Sequence, residues 1–223
     1  MNLIQWLKSL DELLYEIVSW LVFFPVTLWR VIRRPLTMMD YSDGELKDRP
    51  QDQFTDALSP PLFLLLALFL THGLEVALGG GQNPIVARQT GLASLINDDT
   101  SLLVFRLVIF SIFPLMMAVR LVHARGLALT RQRLKAPFYA QCYAVAPFAL
   151  FLGVGTSLSH AAWAGAAPLG LTIIAITVAF YLIIETRWFA VHLKQSLLRG
   201  AVNAAIGFIG ATLFVIFVAL LFL

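Results

Sequence analysis

The chain has 223 residues, of which 59% are hydrophobic and 13% charged, with a mean hydropathy of +0.82 and a net charge of +3. A soluble domain carries about a quarter of its residues as charges, so this composition excludes a water-soluble globule and points to an integral membrane protein. The basic pI near 9.2 does not make it a nucleic-acid binder, because the basic residues cluster at the ends of apolar runs rather than on one face.

The N-terminal stretch, residues 1–36, repeats Leu3, Leu7, Leu10, Leu14, Ile17 and Leu21 at helical spacing, with Gln5, Lys8, Glu12, Glu16 and Ser19 opposite. Asp11, Glu12 and Glu16 interrupt the apolar run that a cleavable signal sequence needs. The pattern predicts a retained amphipathic helix lying in the membrane interface or half inserted. Trp6, Trp20 and Trp29 supply interfacial aromatics, and Arg30, Arg33 and Arg34 form a basic cluster suited to anionic lipid headgroups. The competing reading is a further span from Ile17 to Trp29, but that run covers only about 20 Å and contains Pro25.

Residues 37–60 read as an acidic cytoplasmic linker. Its carboxylates Asp40, Asp43, Glu45, Asp48, Asp52 and Asp56 lack the alternating spacing, central glycine and terminal glutamate of a calcium loop. A solvated segment is therefore expected there.

Residues 61–223 hold five apolar runs, about 61–78, 102–119, 138–158, 162–184 and 201–223. Each is close to the roughly 20 residues that cross a hydrocarbon core about 30 Å thick. Backbone amides in lipid must be satisfied within the segment, so the fold class is an all-α membrane bundle of five transmembrane helices. Lys and Arg are retained in cytoplasmic loops. Lys47, Arg49, Arg120, Arg125, Arg131, Arg133, Lys135, Arg187, Lys194 and Arg199 fall on one side, against Arg88 on the other. The expected topology has a cytoplasmic N-terminus and a C-terminus across the membrane, with a bacterial inner membrane suiting the short loops.

Within the first run His72 and Glu75 lie one turn apart, and Arg106 enters the second run at similar depth. Charges inside a span seek protein, water or an opposite charge. Glu75 and Arg106 are the expected pair, either fixing how two helices pack or, with His72, forming a polar transport site. His123 and Glu185, at span ends, are expected at the interface. In the last run Asn203, Gly207 and Ala211 recur every four residues, a helix-packing face of small residues. Gly153, Gly155, Gly165 and Gly170 offer similar grooves.

Cys142 is the sole cysteine, which excludes an intrachain disulfide or a thiolate metal cluster. No HExxH, GxSxG or phosphate-binding glycine loop occurs. No catalytic residue, metal or cofactor is expected. The expected partners are the bilayer with its anionic lipids and a membrane protein or further copies of the chain.

The polar leader, the five closely spaced spans, and the phrases FFPVTLWRVIRRP and YAQCYAVAPFALFLGVG, with Tyr143, Ala144 and Pro147 in the latter, resemble bacterial members of the Yip1-like membrane protein family. The resemblance implies a five-span, non-enzymatic membrane protein. Relatives of that kind bind small GTPases or are loosely called permeases, and it carries no site residue over to this chain. Two functions follow as expectations: an accessory or scaffold subunit of a membrane complex, or a small transporter or channel working through His72, Glu75 and Arg106.

Overall fold

In a computed structural model, residues 3–77 and 98–221 are described, with side chains for all of them except residues 3–10 and 99. Trp6, Arg88 and the Gly79 to Gly81 run therefore lie outside the described side chains. The described residues form seven α-helices, one short 3-10 turn at Pro50–Asp52, and no strand: α1 (Leu3–Arg33), α2 (Pro35–Glu45), α3 (Pro60–Ala77), α4 (Asp99–Ala124), α5 (Arg131–Ser159), α6 (Ala166–His192) and α7 (Leu197–Leu221). An all-helical membrane bundle is the fold.

Six of these helices are long and apolar enough to cross a membrane: α3 to α7 and, within α1, Asp11–Arg33. The five expected spans are present, but on the basic side they run past the apolar segments. Helix α5 begins at Arg131 and α6 ends at His192. Charged residues end a lipid-facing run without ending a helix, which simply projects through the headgroups. Local caps set the true ends. The Asp98 carboxylate accepts from Ser101 N at 2.7 Å to start α4, and the Thr130 hydroxyl accepts from Arg133 N at 3.3 Å to start α5.

Helix α5 is the central element. Between Ala140 and Ala149 every residue is buried. Helices α3, α4 and α6 pack against it, while α7 closes the gap between α4 and α6. Phe113, Phe148, Tyr181 and Phe208, one from each of α4 to α7, meet with ring centroids 4.6 to 6.2 Å apart. Aromatic contact of this kind adds to plain area burial.

Backbone approach between helices is set by glycine. A side chain at Gly170 would strike the backbone of Gly155 and Ser159 in α5, and one at Gly200 the carbonyl of Thr186 in α6. The expected small-residue face of the last helix packs inside the chain: Asn203, Gly207 and Ala211 are buried, and Met117 of α4 fills the space beside Gly207.

Residues 37–60 differ from the solvated linker expected of them. Eleven residues make α2, with Pro35 at its start, and Met38, Met39, Ala57 and Leu58 are buried. The acidic residues obscured a minority of apolar ones that dock on α5. Phe54 takes a left-handed backbone, φ 56°, costly for a non-glycine residue. Its N–H donates to the Glu45 carboxylate, and its ring lies between Tyr41 and Tyr139.

The N-terminal segment forms one helix of 31 residues, inside the expected residues 1–36, and it passes through Pro25 without ending. Its C-terminal half is attached to the bundle through Phe24, Thr27 and Val31. Its other half borders a groove shared with Pro50, Gln53, Leu62 and Tyr139, which Tyr15, Glu16, Ser19 and Trp20 face.

Candidate functional site

Three polar clusters sit on this scaffold. The first is the one the sequence singled out. Arg106 Nη2 on α4 donates to Glu75 Oε2 on α3 at 2.5 Å, and Arg106 Nη1 lies 3.5 Å from His72 Nδ1. The side chains of Arg106 and Glu75 are 18% and 30% exposed, so the pair sits partly at the surface of the bundle. His72, Glu75 and Arg106 are thus brought together, and their charges are matched within the chain.

The second cluster joins α1 to the bundle at the basic end. Arg30 Nη1 donates to the backbone carbonyl and to Oδ2 of Asp56, at 3.0 and 3.1 Å, and the Tyr41 hydroxyl donates to Oδ1 at 2.5 Å. These bonds hold the Asp56 carboxyl below the usual carboxylate range, the Tyr41 bond most of all. Burial and the same carboxylate push the Tyr41 phenol well up. Leu58 N donates to Thr27 Oγ1, and the Tyr143 hydroxyl to Leu58 O, so α1 is tied through the linker to α5. Arg33 lies over the exposed Trp29 ring. Arg33 and Arg34 border a cavity of about 430 Å³ at the elbow between α1 and α2. Trp20 lies farther back on α1, where its ring N–H donates to Glu16.

The third cluster was not foreseen. Glu185 was expected at the interface, yet it is fully buried between α5 and α6, where Gln141 Nε2 donates to its Oε2 at 2.9 Å. Extending α6 to His192 moves Glu185 from the end of a span to two turns inside a helix. Tyr181, Glu185, Trp188 and His192 follow at spacings of four, three and four residues, one face of a helix. At the mouth of that face Trp188 stacks on His192, whose Nε2 lies 3.1 Å from Asp40 Oδ1 on α2. Burial raises the neighbouring Asp43 carboxyl, with His192 opposing. The signal available in the sequence was Gln141 and Glu185, two strongly polar residues in facing helices. His123 is exposed at the end of α4, as a span-end residue should be.

Asn203 makes a polar tie of a more ordinary kind. Its Oδ1 accepts from Arg120 Nε at 2.8 Å and its Nδ2 donates to Arg199 O, joining α7 to α4. No family model, curated protein or solved structure matches the chain, so its function is read from its own residues.

Proposed function

We propose that this membrane protein is an accessory or scaffold subunit of a larger membrane complex, with no chemistry of its own. The observation that carries the reading is α1. One half is fixed to the bundle, while Leu13, Leu14, Ile17, Val18, Leu21 and Val22 in the other half are 41 to 73% exposed. A helix anchored at one end with an unused apolar flank suits a lipid surface and a neighbouring protein together. The matched charges of Glu75 and Arg106 favour a packing role for that pair. The basic ends of the helices, α2 and the elbow arginines then face the cytoplasm, against anionic lipids, in a bacterial inner membrane. A non-enzymatic role also accords with the Yip1-like resemblance.

The test is extraction in a mild detergent or native nanodiscs, with mass determination of the intact particle. A stoichiometric second protein, lost when Leu14, Val18 and Leu21 are changed to Gln, is the expected result. A chain that purifies alone as a monomer at native expression would sink the reading.

A second reading, a small transporter or channel, is favoured by one observation: polar groups sit at two depths, His72 with Glu75 and Arg106, and Glu185 with Gln141. Liposome flux that is lost in Glu75→Gln without loss of folded protein would select it.

A further inference from the structure

Glu185 is the most deeply enclosed carboxyl among the described residues, and it is incompletely satisfied. Its Oε2 accepts one hydrogen bond from Gln141. Its Oε1, the Gln141 Oε1, the Tyr181 hydroxyl and the Trp188 ring N–H are all buried without a hydrogen-bond partner among the described residues. The four side chains belong to the facing helices α5 and α6, and each is no more than 1% exposed.

An ionised carboxylate taken out of water needs a cation or several donors, and one amide N–H is a small replacement for a hydration shell. Among the described residues no Lys, Arg or His is paired with Glu185. From α5 it meets Gln141, while the Cys142 thiol lies near Tyr181. On α6 it has Tyr181 and Trp188. From α2 the nearest charges, Asp40 and Asp43, stand at His192 two turns away. The contact of α7 with this helix runs through Gly200 at Thr186 and Ala190, and no charged side chain of α7 is bonded to Glu185. Among the described residues the surroundings therefore supply unpaired oxygens on Glu185, Gln141 and Tyr181, two neutral donors in the Tyr181 O–H and Trp188 N–H, and no positive charge.

We propose that Glu185 is the binding site for one monovalent cation, a proton or an alkali ion, held by the Glu185 carboxylate with the Gln141 and Tyr181 oxygens beside it. Charge balance sets the valence: a single positive charge neutralises the one carboxylate, whereas a divalent ion would leave net charge in an apolar bundle. Carboxylate, amide and phenol oxygens are hard donors, suited to such an ion. The face from Glu185 through Trp188 to His192 leads to the end covered by α2. The site stands apart from the accessory role and holds whether or not a partner is found.

Infrared difference spectroscopy on the full chain in nanodiscs tests it, with choline as the only other cation. The expected result is a band of a protonated, dry carboxyl, absent in Glu185→Gln and shifted in Gln141→Met, which keeps the carboxyl but removes its donor. Loss of the band on raising the pH, indifferent to sodium, identifies a proton. Loss on adding sodium at constant pH identifies an alkali ion. A band that responds to neither, that is missing under all conditions, or that is unmoved by Gln141→Met overturns the proposal, even if Glu185→Gln fails to fold.

Discussion

The Tyr41 hydroxyl donates to Asp56 Oδ1 at 2.5 Å while Arg30 Nη1 reaches Oδ2 of the same carboxylate at 3.1 Å, so a helix, an elbow and a linker meet on one acidic group. Because the folded protein holds this carboxyl below the usual range, its contribution is complete above the ordinary carboxylate value and fades as pH falls through the lower folded value. The Asp56 side chain is 61% exposed, so solvent discounts the ion pair to a few tenths of a kcal/mol, and the phenol bond dominates. Asp56→Asn and Tyr41→Phe should each weaken attachment of α1 by about 1 kcal/mol. Backbone hydrogen exchange of residues 24–33 reads this directly. It should rise in the variants, and in the wild type only under distinctly acidic conditions; equal protection in all three would refute the clamp.

Glycines give a graded prediction about packing. At Gly170 an added methyl meets the Gly155 carbonyl and Ser159 N, both at 2.5 Å, and both are backbone atoms that cannot move aside. Gly170→Ala should destabilise the bundle by about 1–3 kcal/mol. At Gly210 the obstacle is the terminal methyl of Met116, 2.9 Å away, a flexible end that can turn, so Gly210→Ala should cost little. Gly73, inside α3, has nothing among the described residues within 4 Å of an added methyl, and there Ala should add up to about 1 kcal/mol through helix propensity alone. Thermal unfolding in one detergent ranks the three, and an inverted order would contradict the packing described.

The partly exposed pair Glu75 and Arg106 should behave as a structural tie. Glu75→Gln leaves the guanidinium at the bundle surface without its counter-charge, at a cost of about 1–2 kcal/mol, less than for a fully buried pair. The swap Glu75→Arg with Arg106→Glu should recover most of that loss. Recovery of stability with unchanged function supports packing, whereas stable protein that has lost function would make the pair a site.

Much of this molecule was legible because lipid imposes a simple rule: a long apolar run must be a helix. Arg106 could be paired with Glu75 from depth alone, since each lies about one turn from the same end of its run. Glu185 escaped because the apolar run stops at Ile184, whereas the helix continues to His192 and buries the next residue against Gln141. Acidity concealed the docked α2, whose apolar anchors Met38 and Met39 are few. Neither failure concerns propensity. Both arise where a helix carrying polar residues packs on protein, which a hydropathy window does not register.

Helix α1 gives the sharpest remaining prediction, because length and geometry pull apart. Asp11–Arg33, 23 residues, would reach about 35 Å and span a bilayer. Yet Tyr15, Glu16, Ser19 and Trp20 border one groove with Pro50 and Gln53 of the segment between α2 and α3 and with Tyr139 in the first turns of α5. A spanning helix would carry Tyr15 away from that end, alongside the later turns of α3, whereas its ring contact with α3 is Phe24 on Phe63. In a Cys142→Ala background, which replaces a buried thiol by a group of similar size, Glu12→Cys should react with an impermeant maleimide from the same side as Asp48→Cys. Trp163→Cys, in the exposed turn before α6, should react from the opposite side. Glu12→Cys labelling together with Trp163→Cys would make α1 a sixth span and turn the N-terminus away from the cytoplasm.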